Sequence, residues 1–223
     1  MIDFKDKQEI LLSNEFKKKG YIKVQTDSEI SLQYLRAKIV KNICKILRID
    51  IPSVKSYDYF LNNFNKKIKI KDLNNIRLQI IRALNKDKDY RKHYFLTAKK
   101  FLYQLVGNEL SMQNRINLSI QIPRDKSSLL PLHSDIWSGD SPFEVVVWIP
   151  LVNCYRTKSM YILPPKFYKK VEKNFSKFSG NSSENFFNKI KKNLDWIKIN
   201  YGEILIFNQA LPHGNIVNKE KET

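Results

Sequence analysis

Apolar residues recur at helical spacing through the first half of the chain and alternate singly through the second. Leu32, Leu35, Ile39, Ile43 and Ile46 mark one amphipathic helix, opened by the capping-box pattern Thr26-Asp-Ser-Glu29. Leu73, Ile76, Ile80 and Leu84 mark a second, with Asp72 as its expected cap. Tyr94, Ala98, Phe101 and Leu105 mark a third that stops near Gly107. Before them, Asn14–Gly20 reads as a helix end, and Tyr21-Ile-Lys-Val-Gln alternates like a strand entering a sheet. From Arg115 the period drops to 2. Strands are expected at 115–122, 129–135, 143–153, 160–163, 196–199, 203–207 and 214–217. Seven short strands punctuated by turns indicate a sandwich or double-sheet jelly roll. Residues 166–194 are polar and lysine-rich, and read as a partly helical excursion with a turn at 179–183. The expectation is an α+β chain forming one domain over 1–223. Residues 1–110 would be mainly helical support and 111–223 a jelly-roll core with the insertion 166–194.

Composition narrows the class. With 223 residues, 42% of them hydrophobic and 12% aromatic, the chain can bury a substantial core, which excludes wholesale disorder. The longest apolar run, Val145 to Val152, has eight residues and includes Pro150. That is far short of the ~20 needed to span a bilayer. The first residues lack the apolar stretch of a signal peptide. Cys44 and Cys154 make no disulfide framework and no thiolate zinc site, and read as small buried apolar residues. A cytoplasmic protein with no membrane segment is expected.

The net charge of +18 is unevenly placed: +13 over residues 1–100, −2 over 101–150, +8 over 151–200 and −1 over 201–223. Most of it is lysine, in a chain rich in Asn and Ile, and no nucleic-acid-binding module accompanies it. A solvated surface is the expected role, and nucleic acid is not the expected partner. The positive charge avoids the segment where the candidate chemistry lies.

Two of the three histidines sit in β-rich segments. His133-Ser-Asp135 closes an expected strand, and residues i and i+2 of a strand share one face. His213 follows another strand, in Glu203-Ile-Leu-Ile-Phe-Asn-Gln-Ala-Leu-Pro-His-Gly-Asn. Two imidazoles and one carboxylate on one face of a metal leave other positions open, the facial arrangement of non-haem Fe(II) oxygenases. The structural alternatives are a hydrogen-bonded pair ending a strand and a turn histidine after Pro212. His93, between Lys92 and Tyr94 on the third helix, reads as a packing or surface histidine.

The flanking residues carry a resemblance. Leu132-His-Ser-Asp-Ile-Trp-Ser-Gly-Asp140, Phe143-Glu-Val-Val-Val-Trp-Ile-Pro-Leu151, Met160-Tyr-Ile-Leu-Pro-Pro165 and Gly202–Asn215 resemble, in order and spacing, the 2-oxoglutarate/Fe(II) oxygenase superfamily. Within it the chain looks closest to the phytanoyl-CoA dioxygenase-like branch, and there to oxygenases of sporadic carbohydrate and streptomycin-type biosynthetic clusters. The resemblance spans Gln113 to Asn218. It implies that His133, Asp135 and His213 hold Fe(II), with 2-oxoglutarate and O2 as co-substrates, and that a sugar-derived small molecule is hydroxylated. It implies that Gln113 and Asn117 contact the 2-oxoglutarate carboxylates; the alternative is that they merely begin a strand. Tyr161 and Trp148 would line the same cavity or pack the core. Trp137 would stack on a sugar ring or cover the barrel mouth. The loop beginning at Arg124 would offer charge to the substrate.

One departure stands out. The family holds the distal carboxylate of 2-oxoglutarate with an arginine about eleven residues beyond the second histidine, on a last strand. Here that position would be 224, one past Thr223, and the eighth strand is missing as well. Two expectations follow: the gene continues with that strand, or the anchor is one of Arg115, Arg124 and Arg156. A non-catalytic jelly roll that binds carbohydrate is the alternative function.

Overall fold

The computed structural model describes residues 6–174 and 182–223. The turn expected at 179–183 lies, except for its last two residues, outside the described residues. Helices α1 (Lys7–Lys19), α2 (Glu29–Leu47), α3 (Tyr57–Asn62), α4 (Leu73–Lys86), α5 (Tyr90–Leu96) and α6 (Lys99–Val106) fill the first half, interrupted by strand β1 (Tyr21–Gln25). The second half carries β2 (Val145–Trp148), β3 (Tyr161–Ile162), α7 (Pro165–Glu172), α8 (Ser183–Ile190), β4 (Asp195–Trp196), β5 (Glu203–Asn208) and β6 (His213–Gly214). The class is α+β. Among the described residues no helix is long and apolar enough to cross a membrane.

The strands form two three-stranded antiparallel sheets, ordered β1-β5-β2 and β4-β3-β6, rather than a complete double-stranded β-helix. Strand β5 is central and buried on both faces, which is why Ile204-Leu-Ile-Phe207 is continuously apolar instead of alternating. Ile204 and Ile206 pack with Ile22, Ala98 and Leu102, on the side of α6. Leu205 and Phe207 pack with Ile162, Ile197 and Leu211, on the side of the second sheet. The early strand β1 thus joins the sheet as its pattern predicts, through the register Ile22↔Ile206 and Val24↔Ile204. The stripe of α2 meets that of α4 in the largest core cluster, which also takes in Ile116, Ile120 and Ile122.

Four local expectations are corrected. The stretch 115–122 keeps a buried apolar face but pairs with no strand among the described residues. Its backbone is held by helix side chains: Asn85 accepts from the Ile116 amide (2.9 Å) and donates to the Ile116 carbonyl (3.0 Å), while Arg91 donates to the Met112 carbonyl (2.9 Å). The outer edge of β2 receives a hydroxyl instead of a strand, Tyr94 donating to the Val147 carbonyl (2.6 Å). The expected helix through Tyr94 and Leu105 is broken into α5 and α6 at Thr97–Ala98, where the Thr97 carbonyl accepts from the Asp27 amide (2.8 Å). Helix α2 is capped by Ser28, which accepts from the Ser31 amide, and Asp72 makes no capping bond to α4.

Candidate metal centre and its cavity

Two imidazoles arrive side by side through one cross-chain bridge. His133 and His213 exchange both backbone hydrogen bonds, His133 N–H to His213 O at 3.0 Å and His213 N–H to His133 O at 2.8 Å. Directly opposed residues of an antiparallel pair put their side chains on the same face. Accordingly the two rings lie 4.4 Å apart between centroids. On its other side β6 pairs with β3, Ile162 opposite His213, so this histidine is held from two directions.

Asp135 reaches the same point by another route than expected. The strand does not continue through it; Asp135 opens a short 3-10 turn, Asp135–Ser138. Its amide donates to the Gln209 carbonyl (3.2 Å), and the buried Ser134 hydroxyl lies against the Gln209 (3.3 Å) and Ala210 (2.9 Å) carbonyls. The turn is therefore fastened to the loop that carries His213. The result is Asp135 Oδ1 at 3.3 Å from His133 Nε2 and Oδ2 at 3.7 Å from His213 Nε2. All three donor atoms lie within 4.8 Å of one another.

The second nitrogen of each ring shows how the first is used. His133 Nδ1 lies 2.7 Å from the Pro131 carbonyl and His213 Nδ1 lies 2.8 Å from the Leu211 carbonyl. A carbonyl only accepts, so each Nδ1 carries a proton and donates it, and the Nε2 of each ring is the nitrogen turned towards Asp135. This is the outer-shell arrangement that fixes a metal-binding imidazole. Phe207 packs edge-on to the His213 ring at 4.9 Å between centroids. Burial lowers the pKa of His213 and keeps it neutral, whereas the hydrogen bond to Asp135 raises that of His133. Burial alone would raise the Asp135 carboxyl, but the hydrogen bond from His133 and the fields of both imidazoles hold it below its usual value.

These residues fit a metal ion. Donors bound at about 2.1 Å to one first-row ion lie roughly 3.0–3.4 Å apart in octahedral or tetrahedral geometry; the His133–Asp135 pair at 3.3 Å has that spacing and the His213–Asp135 pair at 3.7 Å is somewhat wider. With Nε2 deprotonated on binding, two imidazoles and one carboxylate suit Fe(II) among other divalent ions.

The triad lines a cavity of about 1180 Å³, and Gln113, Asn117 and Trp148 line it too. Three other expected site residues lie elsewhere. Tyr161 is buried in a separate cluster with Leu132, Leu163 and Phe186, its ring against Phe187 and Trp196, because its strand turns it away from the cavity. Trp137 rides on the 3-10 turn and packs towards Phe186 at 6.0 Å, so it does not share the face of Asp135. Arg124 is exposed at a left-handed turn position (φ 63°), outside the lining.

A residue that sequence reasoning missed is Lys158. Among the described residues it contributes the only lysine or arginine side chain of the cavity lining, and it is 3% exposed. Its ammonium donates to Asn62 Oδ1 and to Glu222 Oε2 (3.1 Å). Arg115, Arg124 and Arg156 are all exposed and line none of the cavity. The one signal was a lysine set just before the apolar run Met160–Leu163, and 40 basic residues hid it.

No protein-family model matches the chain, and no curated protein matches it in sequence. Among solved structures it is similar to apo HygX from Streptomyces hygroscopicus, at 10% identity and a TM-score of 0.48, over 98% of this chain and 84% of HygX.

Proposed function

We propose that this chain is an Fe(II)- and 2-oxoglutarate-dependent oxygenase that hydroxylates a small molecule with a sugar-like part, on a jelly-roll scaffold built from the two sheets. The observation that carries the reading is the convergence of His133, Asp135 and His213, with both Nδ1 atoms committed to carbonyls and both Nε2 atoms facing one carboxylate. When bound, Fe(II) with a 2-oxo acid and O2 supplies the oxidising power for C–H hydroxylation.

The protein's own part is holding and positioning. His133, Asp135 and His213 hold the ion. Lys158 takes the distal carboxylate of 2-oxoglutarate: an ammonium has three donors, and Asn62 and Glu222 occupy two. Gln113 and Asn117 offer amides to the same carboxylates from the 113–121 segment. The apolar walls keep water from the reacting carbon. A small molecule, rather than nucleic acid, is the substrate, because the candidate chemistry sits in a cavity to which, among the described residues, Lys158 alone of the lysines and arginines contributes. Residues 1–223 act as one domain, since β1 from the helical half completes the sheet of β5.

Anaerobic calorimetry with Fe(II) tests the assignment. One equivalent is expected to bind the wild type, and Asp135→Ala and His213→Ala are expected to bind none. Absence of stoichiometric binding by the wild type overturns it.

A further inference from the structure

We infer that Glu222 is a positioning residue that tempers the hold on 2-oxoglutarate. It acts through Lys158, whose ammonium its carboxylate shares with the distal carboxylate of the co-substrate. The inference rests on the oxygenase reading and deepens it by assigning a residue that sets co-substrate affinity.

The main chain holds Glu222 in place from both sides. The side-chain amide of Asn218, itself 1% exposed, donates to the Gln121 carbonyl (2.9 Å) and to the Glu222 carbonyl (2.7 Å). The Thr223 amide donates to the Asn62 carbonyl (2.9 Å). Its hydroxyl donates to Asn65 Oδ1 (3.1 Å) and accepts from the Asn65 amide (3.1 Å). Between these fastenings the Lys219 amide donates to the Thr157 hydroxyl (2.9 Å), which donates to Glu220 Oε1 (3.1 Å). Residues 218–223 are thus tied to Thr157, the neighbour of Lys158, and to Asn62, the other partner of its ammonium. Such a backbone presents the Glu222 carboxylate to Lys158 and spares part of the entropy that loosens ordinary surface ion pairs.

Charge gives the contact its consequence. Asn62 is neutral, and the Tyr155 ring at 5.6 Å offers only an aromatic face. Among the described residues, Glu222 at 3.1 Å is the one carboxylate bonded to the ammonium. Lys158 lines the cavity and Glu222 does not, so the carboxylate leaves the ligand's space free. Ligand and Glu222 share the ammonium instead of exchanging on it. An ammonium already paired offers a second carboxylate less net attraction, because the two anions repel. With no other lysine or arginine among the described residues of the lining, nothing of that kind dilutes the effect. If Glu222 served only as the counter-ion of a buried lysine, removing its charge would weaken the site or leave it unchanged. Tuning through a shared ammonium has the opposite sign.

Glu222→Gln keeps an acceptor for the ammonium and removes the charge. Anaerobic calorimetry on the Fe(II)-loaded full chain compares 2-oxoglutarate with 2-oxopentanoate, which lacks the distal carboxylate. Like charges about 5 Å apart at a half-exposed position predict that the variant binds 2-oxoglutarate roughly 5- to 15-fold more tightly. Binding of 2-oxopentanoate should change by less than about twofold, since it places no charge on the ammonium. Glu220→Gln removes the same charge from the same segment without touching the ammonium, and is expected to have a smaller effect. Urea denaturation confirms that both variants fold. Unchanged or weaker 2-oxoglutarate binding by Glu222→Gln overturns the inference, as does an equal gain for 2-oxopentanoate or in Glu220→Gln. Each of those results leaves the oxygenase reading standing, because the wild type still binds 2-oxoglutarate. A wild type that takes up Fe(II) but neither 2-oxo acid removes both.

Discussion

Replacing Lys158 by methionine removes the one lysine or arginine cation that the described residues bring to the cavity, at small cost to the fold. Methionine fills a similar volume, and Glu222, whose side chain is 44% exposed, passes its hydrogen bond to solvent. Asn62 loses a partner, worth about 1 kcal/mol net, while the cost of burying an ammonium disappears. The two nearly offset, so stability should change by no more than about 1 kcal/mol. Binding should respond differently. A charge-assisted hydrogen bond to a carboxylate contributes about 1.5–3 kcal/mol, which corresponds to roughly 10- to 150-fold in 2-oxoglutarate affinity. Lys158→Arg should recover part of it. The assay is anaerobic calorimetry of 2-oxoglutarate into Fe(II)-loaded protein, with urea denaturation run alongside. Affinities within twofold of each other for wild type and Lys158→Met would refute the anchor.

Other consequences follow from single contacts. Asn85→Ala should destabilise the chain by about 1–3 kcal/mol, because it removes both hydrogen bonds to Ile116, and should accelerate amide exchange there; unchanged protection by hydrogen-exchange mass spectrometry would contradict this clamp. Gly214→Ala places a Cβ 2.7 Å from the Leu130 carbonyl oxygen and 2.8 Å from the Tyr161 hydroxyl, so a cost of about 1–3 kcal/mol and weaker metal binding through displaced His213 are expected by denaturation and calorimetry. Asp125 is buried and accepts from the Ser127 amide (2.9 Å) and from the Ser127 (3.0 Å) and Ser128 (2.8 Å) hydroxyls. Burial alone would raise its pKa, yet these bonds hold it below the usual value. Its folded pKa being depressed, its stabilisation is present above the unfolded value of about 3.9 and is lost as pH falls through the folded value. The stability difference between wild type and Asp125→Asn should therefore be level from neutral pH to about pH 5 and shrink below about pH 4.

What the sequence made legible was whatever a local pattern decides. The stripe of α2 and the alternation of β1 needed no knowledge of their partners, and the His-x-Asp and distant His stood out as residue types. The interval 115–122 shows where pattern stops: Ile116, Ile120 and Ile122 are buried as the alternation predicts, but alternation does not say whether a strand or Asn85 satisfies the backbone. The break between α5 and α6 depends on Asp27, some 70 residues away, taking the Thr97 carbonyl. Trp137 was misplaced because its two-residue offset from Asp135 presumed a strand where a 3-10 turn forms. Lys158 was illegible because its meaning lies in burial against Asn62 and Glu222, which composition does not reveal.

The central claim is that the His133–Asp135–His213 group and Lys158 together hold Fe(II) and 2-oxoglutarate in one cavity. Adding 2-oxoglutarate to the anaerobic Fe(II)-loaded protein tests it most directly, by the weak visible charge-transfer band that appears when a 2-oxo acid chelates iron. The account predicts that band in the wild type, its absence in Asp135→Ala, and its appearance only at higher 2-oxoglutarate concentration in Lys158→Met. A wild-type protein that binds one Fe(II) yet develops no band at saturating 2-oxoglutarate would contradict it.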